Sequence, residues 1–133
     1  EFIEPLREYG EKVGVAFQII DDILDLDGGD TGKEKGNDVR NGVATLPILL
    51  LRAATDAESI DLRDRIDAAV IAGDDVAFAA CIDELRDSRH AAATIADARR
   101  WATEAITALD VLPDGLPKRA LIQFANRVID RTA

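Results

Sequence analysis

The sequence has no methionine, one cysteine, one histidine and one tryptophan, and aromatics make up only 5% of its 133 residues. Each scarcity removes something. A lone cysteine, Cys81, excludes an internal disulfide and fits a reducing, cytoplasmic setting. Flanked by Ala79, Ala80 and Ile82, it reads as a small core residue. His90 has no nucleophile pattern near it and reads as a surface or partly buried side chain, not a catalytic one. Basic residues are outnumbered 16 to 26, for a net charge of −10, so nucleic acid and anionic lipid are repelled. No apolar run approaches membrane-spanning length, and no signal-peptide pattern is present. A primary translation product starts with methionine, and its removal normally needs a small residue behind it, not Glu1. The expectation is an internal stretch, the C-terminal part of a longer gene product, although a Glu1-Phe2 start of vector origin would read the same way.

What is present is aliphatic. Hydrophobic residues make up 47% of the chain, enough for a core of Ala, Leu, Ile and Val, a composition that favours helix over sheet. One long helix is predicted from Phe2 to Leu26, stopped by Gly28-Gly29. Residues 28–44 then carry five glycines among Lys, Asp, Asn and Arg, a polar loop of a length that is usually functional or disordered. Thr45 is the predicted N-cap of an apolar helix from Leu46 to Ala54, with Pro47 in its first turn. Further helices are predicted from Ser59 to Ala72, from the Asp74-Asp75 cap pair to Asp87, from Ser88 to Leu109 and from Lys118 to Arg131. The last should turn Ala120, Leu121, Phe124, Val128 and Ile129 inward. No segment alternates with period two and no repeat is found. The fold class is all-α, with residues 1–133 forming a single unit.

The most informative segment runs from Gly14 to Asp25. On a helical wheel at ~100° per residue with Gln18 at zero, Asp21 lies near ~300°, Asp22 near ~40° and Asp25 near ~340°. The polar side chains between Val13 and Leu26 thus share one stripe, and the rest of the circumference is apolar. A helix so hydrophobic is expected to be buried on most sides, with the stripe facing a cavity. Asp21 and Asp25 repel at i, i+4, near a helix C-terminus that disfavours negative charge, with no helical neighbour to neutralise them. A hard divalent cation resolves that conflict, and all-oxygen ligands suit Mg²⁺. A calcium loop started at Asp25 fails, because it puts Asp30 where glycine is required and Gly36 where the bidentate Glu belongs. Beyond the stripe, Lys33, Lys35 and Arg40 offer positive charge among glycines whose N–H groups can approach phosphate, pointing to a diphosphate ligand.

Phe17-Gln18-x-x-Asp21-Asp22-x-x-Asp25 resembles the second aspartate-rich motif of the trans-isoprenyl diphosphate synthases, the polyprenyl synthetases. The stretch Gly32-Lys33-x-x-Gly36-Asn37-Asp38-Val39-Arg40-x-Gly42-x-x-Thr45-Leu46-Pro47 looks like the segment C-terminal to that motif in the same family. A weaker likeness continues to Asp130-Arg131. The resemblance implies about six C-terminal helices of the isoprenoid synthase fold, a homodimer, and condensation of isopentenyl diphosphate with an allylic prenyl diphosphate using Mg²⁺. It further implies Asp21 as the main metal ligand, with Asp22 and Asp25 on metal-bound waters or behind them. Gln18 would steady the diphosphate or Asp21, Phe17 would line the isopentenyl site, Lys33 would bind the allylic diphosphate, and Asp38 would orient that network.

Two departures stand out. Val43 occupies a position where many members have a lysine, and the first aspartate-rich motif is not among these residues. Asp74-Asp75 is no substitute, since no third acid follows at the right spacing. The chain alone is therefore expected not to turn over substrate. Three other readings compete. A terpene cyclase generally uses an Asn/Ser/Glu-type second motif, and an all-α nucleoside triphosphate pyrophosphatase needs a Glu-x-x-Glu pair, which is lacking. The third is a non-catalytic helical dimerisation or regulatory module derived from a synthase.

Overall fold

The structure, a computed structural model, describes residues 1–28 and 35–132. Among these residues there are seven α-helices and no strand. They are α1 (Ile3–Asp27), α2 (Asn37–Arg40), α3 (Leu46–Ala53), α4 (Ala57–Ala72), α5 (Asp75–Arg86), α6 (Arg89–Ala108) and α7 (Leu116–Asp130), with a 3-10 turn at Leu109–Val111 before α7. The all-α expectation holds. Sequence periodicity missed α2, a single turn too short to show a period.

The chain divides into two compact units. One comprises Glu1–Asp21 with Ile95–Ala133, the other Asp22–Thr94, so α1 and α6 each contribute to both. The Asp22–Thr94 unit holds the larger side chains. Leu26, Val39, Ile48, Leu51, Leu62, Ile66, Phe78, Ile82 and Leu85 form one hydrophobic cluster with Ala69 and Cys81. Each fully buried Leu or Ile there contributes about 1.5–3 kcal/mol of burial free energy. Helix α4 packs on α5 and on α3. Asp56 caps α4 by accepting from the Ser59 N–H at 3.1 Å, so the helix starts earlier than the predicted Ser59. Asp74 caps α5 in the predicted manner, accepting from the Ala77 N–H at 3.1 Å. Ser88 Oγ accepts from the His90 and Ala91 N–H groups at the start of α6.

The Glu1–Asp21 and Ile95–Ala133 unit is built from smaller residues. Ala98, Ala102 and Ala105 recur along one buried face of α6, and α7 buries Ala125, Val128 and Ile129. Phe124 is 51% exposed and Ala120 is exposed too, contrary to their expected inward positions. Tyr9 donates its hydroxyl to the Leu121 carbonyl at 2.6 Å, and Lys12 bridges to Glu104 at 2.8 Å. Trp101 is half-buried, with Lys12 over its ring at 5.9 Å and Arg100 at 5.7 Å.

Candidate functional site

Helix α1 carries all three aspartates. It buries Tyr9, Val13, Ala16, Ile19, Ile20, Ile23 and Leu26, a stripe at helical spacing. The opposite side is more open than the sequence implied. Val15 and Phe17 are each 37% exposed, and Gln18 is exposed too. The expectation of a helix buried on most sides is corrected: one face is packed, and Phe17, Gln18 and Asp21 lie outside it.

Asp21 is not without a cation. Arg131, just past α7, donates from Nη2 to Asp21 Oδ1 at 3.2 Å, and its guanidinium lies 4.8 Å from the Phe17 ring centre. Both charged side chains remain about 40% exposed, at 39% and 42%. The stripe has no neutralising neighbour on its own helix, yet Asp21 finds a cation in the segment after α7. The helical wheel considered only neighbours on the same helix, and the partner is remote in sequence.

Asp22 and Asp25 are held differently. Asp22 Oδ2 accepts from the Leu46 N–H at 2.9 Å, capping α3, and Asp25 Oδ1 accepts from the Asp38 N–H at 3.0 Å, at the start of α2. The predicted cap, Thr45, has no side-chain capping bond; it is 1% exposed and its Oγ1 has no partner among the described residues. The Gly36 N–H reaches the Asp25 carbonyl at 2.8 Å. Gly36 sits at φ +70, and a Cβ there would fall 2.7 Å from Ile82, so only glycine lets the loop approach α5 this closely. Burial pushes the Asp25 carboxyl above the usual range, against the opposite pull of the Asp38 and Val39 N–H groups. Its second oxygen, Oδ2, is buried with no partner among the described residues.

The loop cations are partly committed elsewhere. Lys35 Nζ pairs with Asp83 at 2.9 Å. Arg40 pairs with Asp75 at 2.7 Å, and its guanidinium lies 4.4 Å from the Phe78 ring centre. Both therefore brace the loop on α5 in this structure. Lys33 lies outside the described residues. Asp38 contributes its backbone N–H to Asp25.

Among the described residues no three His, Cys, Asp or Glu side chains come together as a closed metal cage. An oxygen-seeking ion of the magnesium type does not need one, since it takes one or two carboxylates and completes its shell with water and substrate phosphate. The unsatisfied Oδ2 of Asp25, on an all-oxygen stripe with Asp21 and Asp22, fits such a group.

The comparisons with known proteins bear on the same segment. The polyprenyl synthetase profile matches residues 1–85, which include the whole Gly14-to-Pro47 stretch. Solanesyl-diphosphate synthase 1, mitochondrial, of Oryza sativa subsp. japonica is 37% identical over 94% of this chain, which spans 30% of that protein. A polyprenyl synthase from Caulobacter crescentus, solved in complex with calcium and isoprenyl diphosphate, superposes with a TM-score of 0.80 at 33% identity, covering 98% of this chain and 40% of that one. One from Roseobacter denitrificans gives a TM-score of 0.75 at 32% identity, covering 97% of this chain and 42% of that one. The chain thus spans less than half the length of these relatives. With a profile match over most of its residues and the same helical fold, the chain belongs to the polyprenyl synthetase family.

Proposed function

We propose that this chain is the C-terminal part of a prenyltransferase that condenses isopentenyl diphosphate with an allylic diphosphate to make (E)-polyprenyl diphosphates. The observation that carries this reading is the family match over residues 1–85, within which the aspartate helix and the loop after it occur in the family's order. In the intact enzyme Asp21 would hold Mg²⁺ directly, with Asp22 and Asp25 behind it on metal-bound water. When bound, the metal supplies charge withdrawal from the diphosphate leaving group. Gln18 steadies the diphosphate or Asp21, Lys33 binds the allylic diphosphate, Phe17 lines the isopentenyl site, and Asp38 ties the loop to Asp25. The intact protein is read as a cytoplasmic homodimer. No helix among the described residues is long and apolar enough to cross a membrane.

In the enzyme encoded by the intact reading frame, Asp21→Ala should lower turnover by about a hundredfold or more with the circular dichroism unchanged. Near-normal product formation would remove the site assignment. The 133-residue chain, assayed alone, should show no chain elongation.

A second reading has one observation in its favour: Asp21 already has an arginine partner, as a non-catalytic dimerisation or regulatory module would allow. Calorimetry separates the two. A competent half-site releases heat with pyrophosphate only when Mg²⁺ is present, and a degenerate module gives none.

A further inference from the structure

Arg131 makes two contacts at once, one with a carboxylate and one with an aromatic ring. Its Nη2 donates to Asp21 Oδ1 at 3.2 Å while the guanidinium carbon lies 4.8 Å from the Phe17 centroid. Phe17 and Asp21 stand at i and i+4, so one arginine from beyond α7 spans a full turn of α1. We infer that Arg131 is the resting counter-ion of Asp21, holding the carboxylate in the metal-free chain and competing with a divalent cation for it. The inference rests on the metal reading of Asp21 proposed above.

The physical case is one of exclusive occupancy and modest strength. A carboxylate oxygen donated to by a guanidinium cannot at the same time take a hard ion in the same direction, so arginine and metal exchange rather than add. The exchange is feasible because the pair is partly solvated, at 39% and 42% side-chain exposure, and a pair of that kind is weak and screened by salt. A cation–π contact at a half-exposed ring adds little more. Arg131 also follows the last residue of α7, Asp130, so it can leave without unwinding the helix. Release uncovers the Phe17 ring together with the carboxylate, coupling two residues assigned to the site through one side chain. By contrast Asp22 and Asp25 accept from backbone N–H groups that cannot withdraw without moving α3 or the loop. At Asp21 the gate is a side chain, free to swing away.

The test uses the full 133-residue chain and the metal alone. Mg²⁺ and Mn²⁺ are titrated calorimetrically into the wild type, Arg131→Ala and Arg127→Ala, with circular dichroism as a folding control. Arg127 lies on the exposed side of α7, so its removal reports the general loss of one positive charge. Arg131→Ala should bind the ion about two- to fivefold more tightly than Arg127→Ala, the range expected for removing an exposed competing pair. In the wild type, the Arg131 side-chain Nε–H resonance should shift as Mg²⁺ is added. Equal affinity in the two variants, or weaker binding by Arg131→Ala, overturns the competition while leaving the metal site standing. No binding by any of the three chains sinks the metal reading itself, and the inference with it.

Discussion

Asp21 and Asp25 are one helical turn apart on α1, yet their carboxylates are held by opposite means. Asp21, in the unit made of Glu1–Asp21 and Ile95–Ala133, is half-exposed and faces a side-chain cation. Asp25, in the Asp22–Thr94 unit, is tucked against the loop, accepts from the Asp38 N–H and leaves Oδ2 buried without a partner among the described residues. One carboxylate is arranged to exchange its partner, and the other is arranged to hold a backbone. Aspartates written alike in a motif are therefore held unlike, Asp21 by a flexible side chain and Asp25 by a fixed N–H.

The largest effect that would break this comparison comes from Gly36, whose N–H binds the Asp25 carbonyl and whose positive φ brings the loop onto Ile82. Gly36→Ala should cost about 2–4 kcal/mol in urea unfolding, combining backbone strain with a clash against packed side chains. A loss under about 0.5 kcal/mol would show that the loop is not fastened here. Next, Asp25→Ala should destabilise by about 1–2 kcal/mol through the lost acceptor for the Asp38 N–H. Asp21→Ala should cost less than about 0.5 kcal/mol, as expected for a half-exposed ion pair. If the two substitutions prove equal, the contrast between a carboxylate held by a side chain and one held by the backbone fails.

The smallest effect asks whether burial governs charge elsewhere in the Asp22–Thr94 unit. His90 is 6% exposed and its Nε2 lies 2.9 Å from Ser59 Oγ. Burial, helped by neighbouring Arg89 and opposed by Asp56, holds its pKa below the ordinary 6.5. The unfolded chain therefore takes up the proton first. The stability that His90 contributes is complete above that ordinary value and falls as pH drops through the folded one. Thermal melts between pH 7.5 and 5 should show this decline, and His90→Gln should flatten it; an unchanged slope would place the decline on other groups.

Much of this was legible beforehand for identifiable reasons. The all-α class followed from aliphatic periodicity, and α5 and α6 started where short polar side chains, Asp74 and Ser88, could cap them. The aspartate stripe was visible because residues at i and i+4 share a helical face. Errors arose where a partner lay far away in the chain. Thr45 looked like a cap, but Asp22 takes the α3 N–H, and Phe124 looked inward by period, yet α7 turns it to solvent. The partners of Arg40 and Lys35, Asp75 and Asp83 of α5, were likewise not visible in the sequence.

Local chemistry alone therefore determined the longer helices, the caps of α5 and α6 and the register of Asp21, Asp22 and Asp25, because each depends on residues within a turn or two. Tertiary structure decided which oxygen of each aspartate is occupied, and by what. Arg131 reaches Asp21 from 110 residues away, and the N–H groups of Leu46 and Asp38 reach Asp22 and Asp25 from 24 and 13 residues away. The strength and exchangeability of a charged contact depend on distance and burial, and these two quantities exist only once the chain has folded.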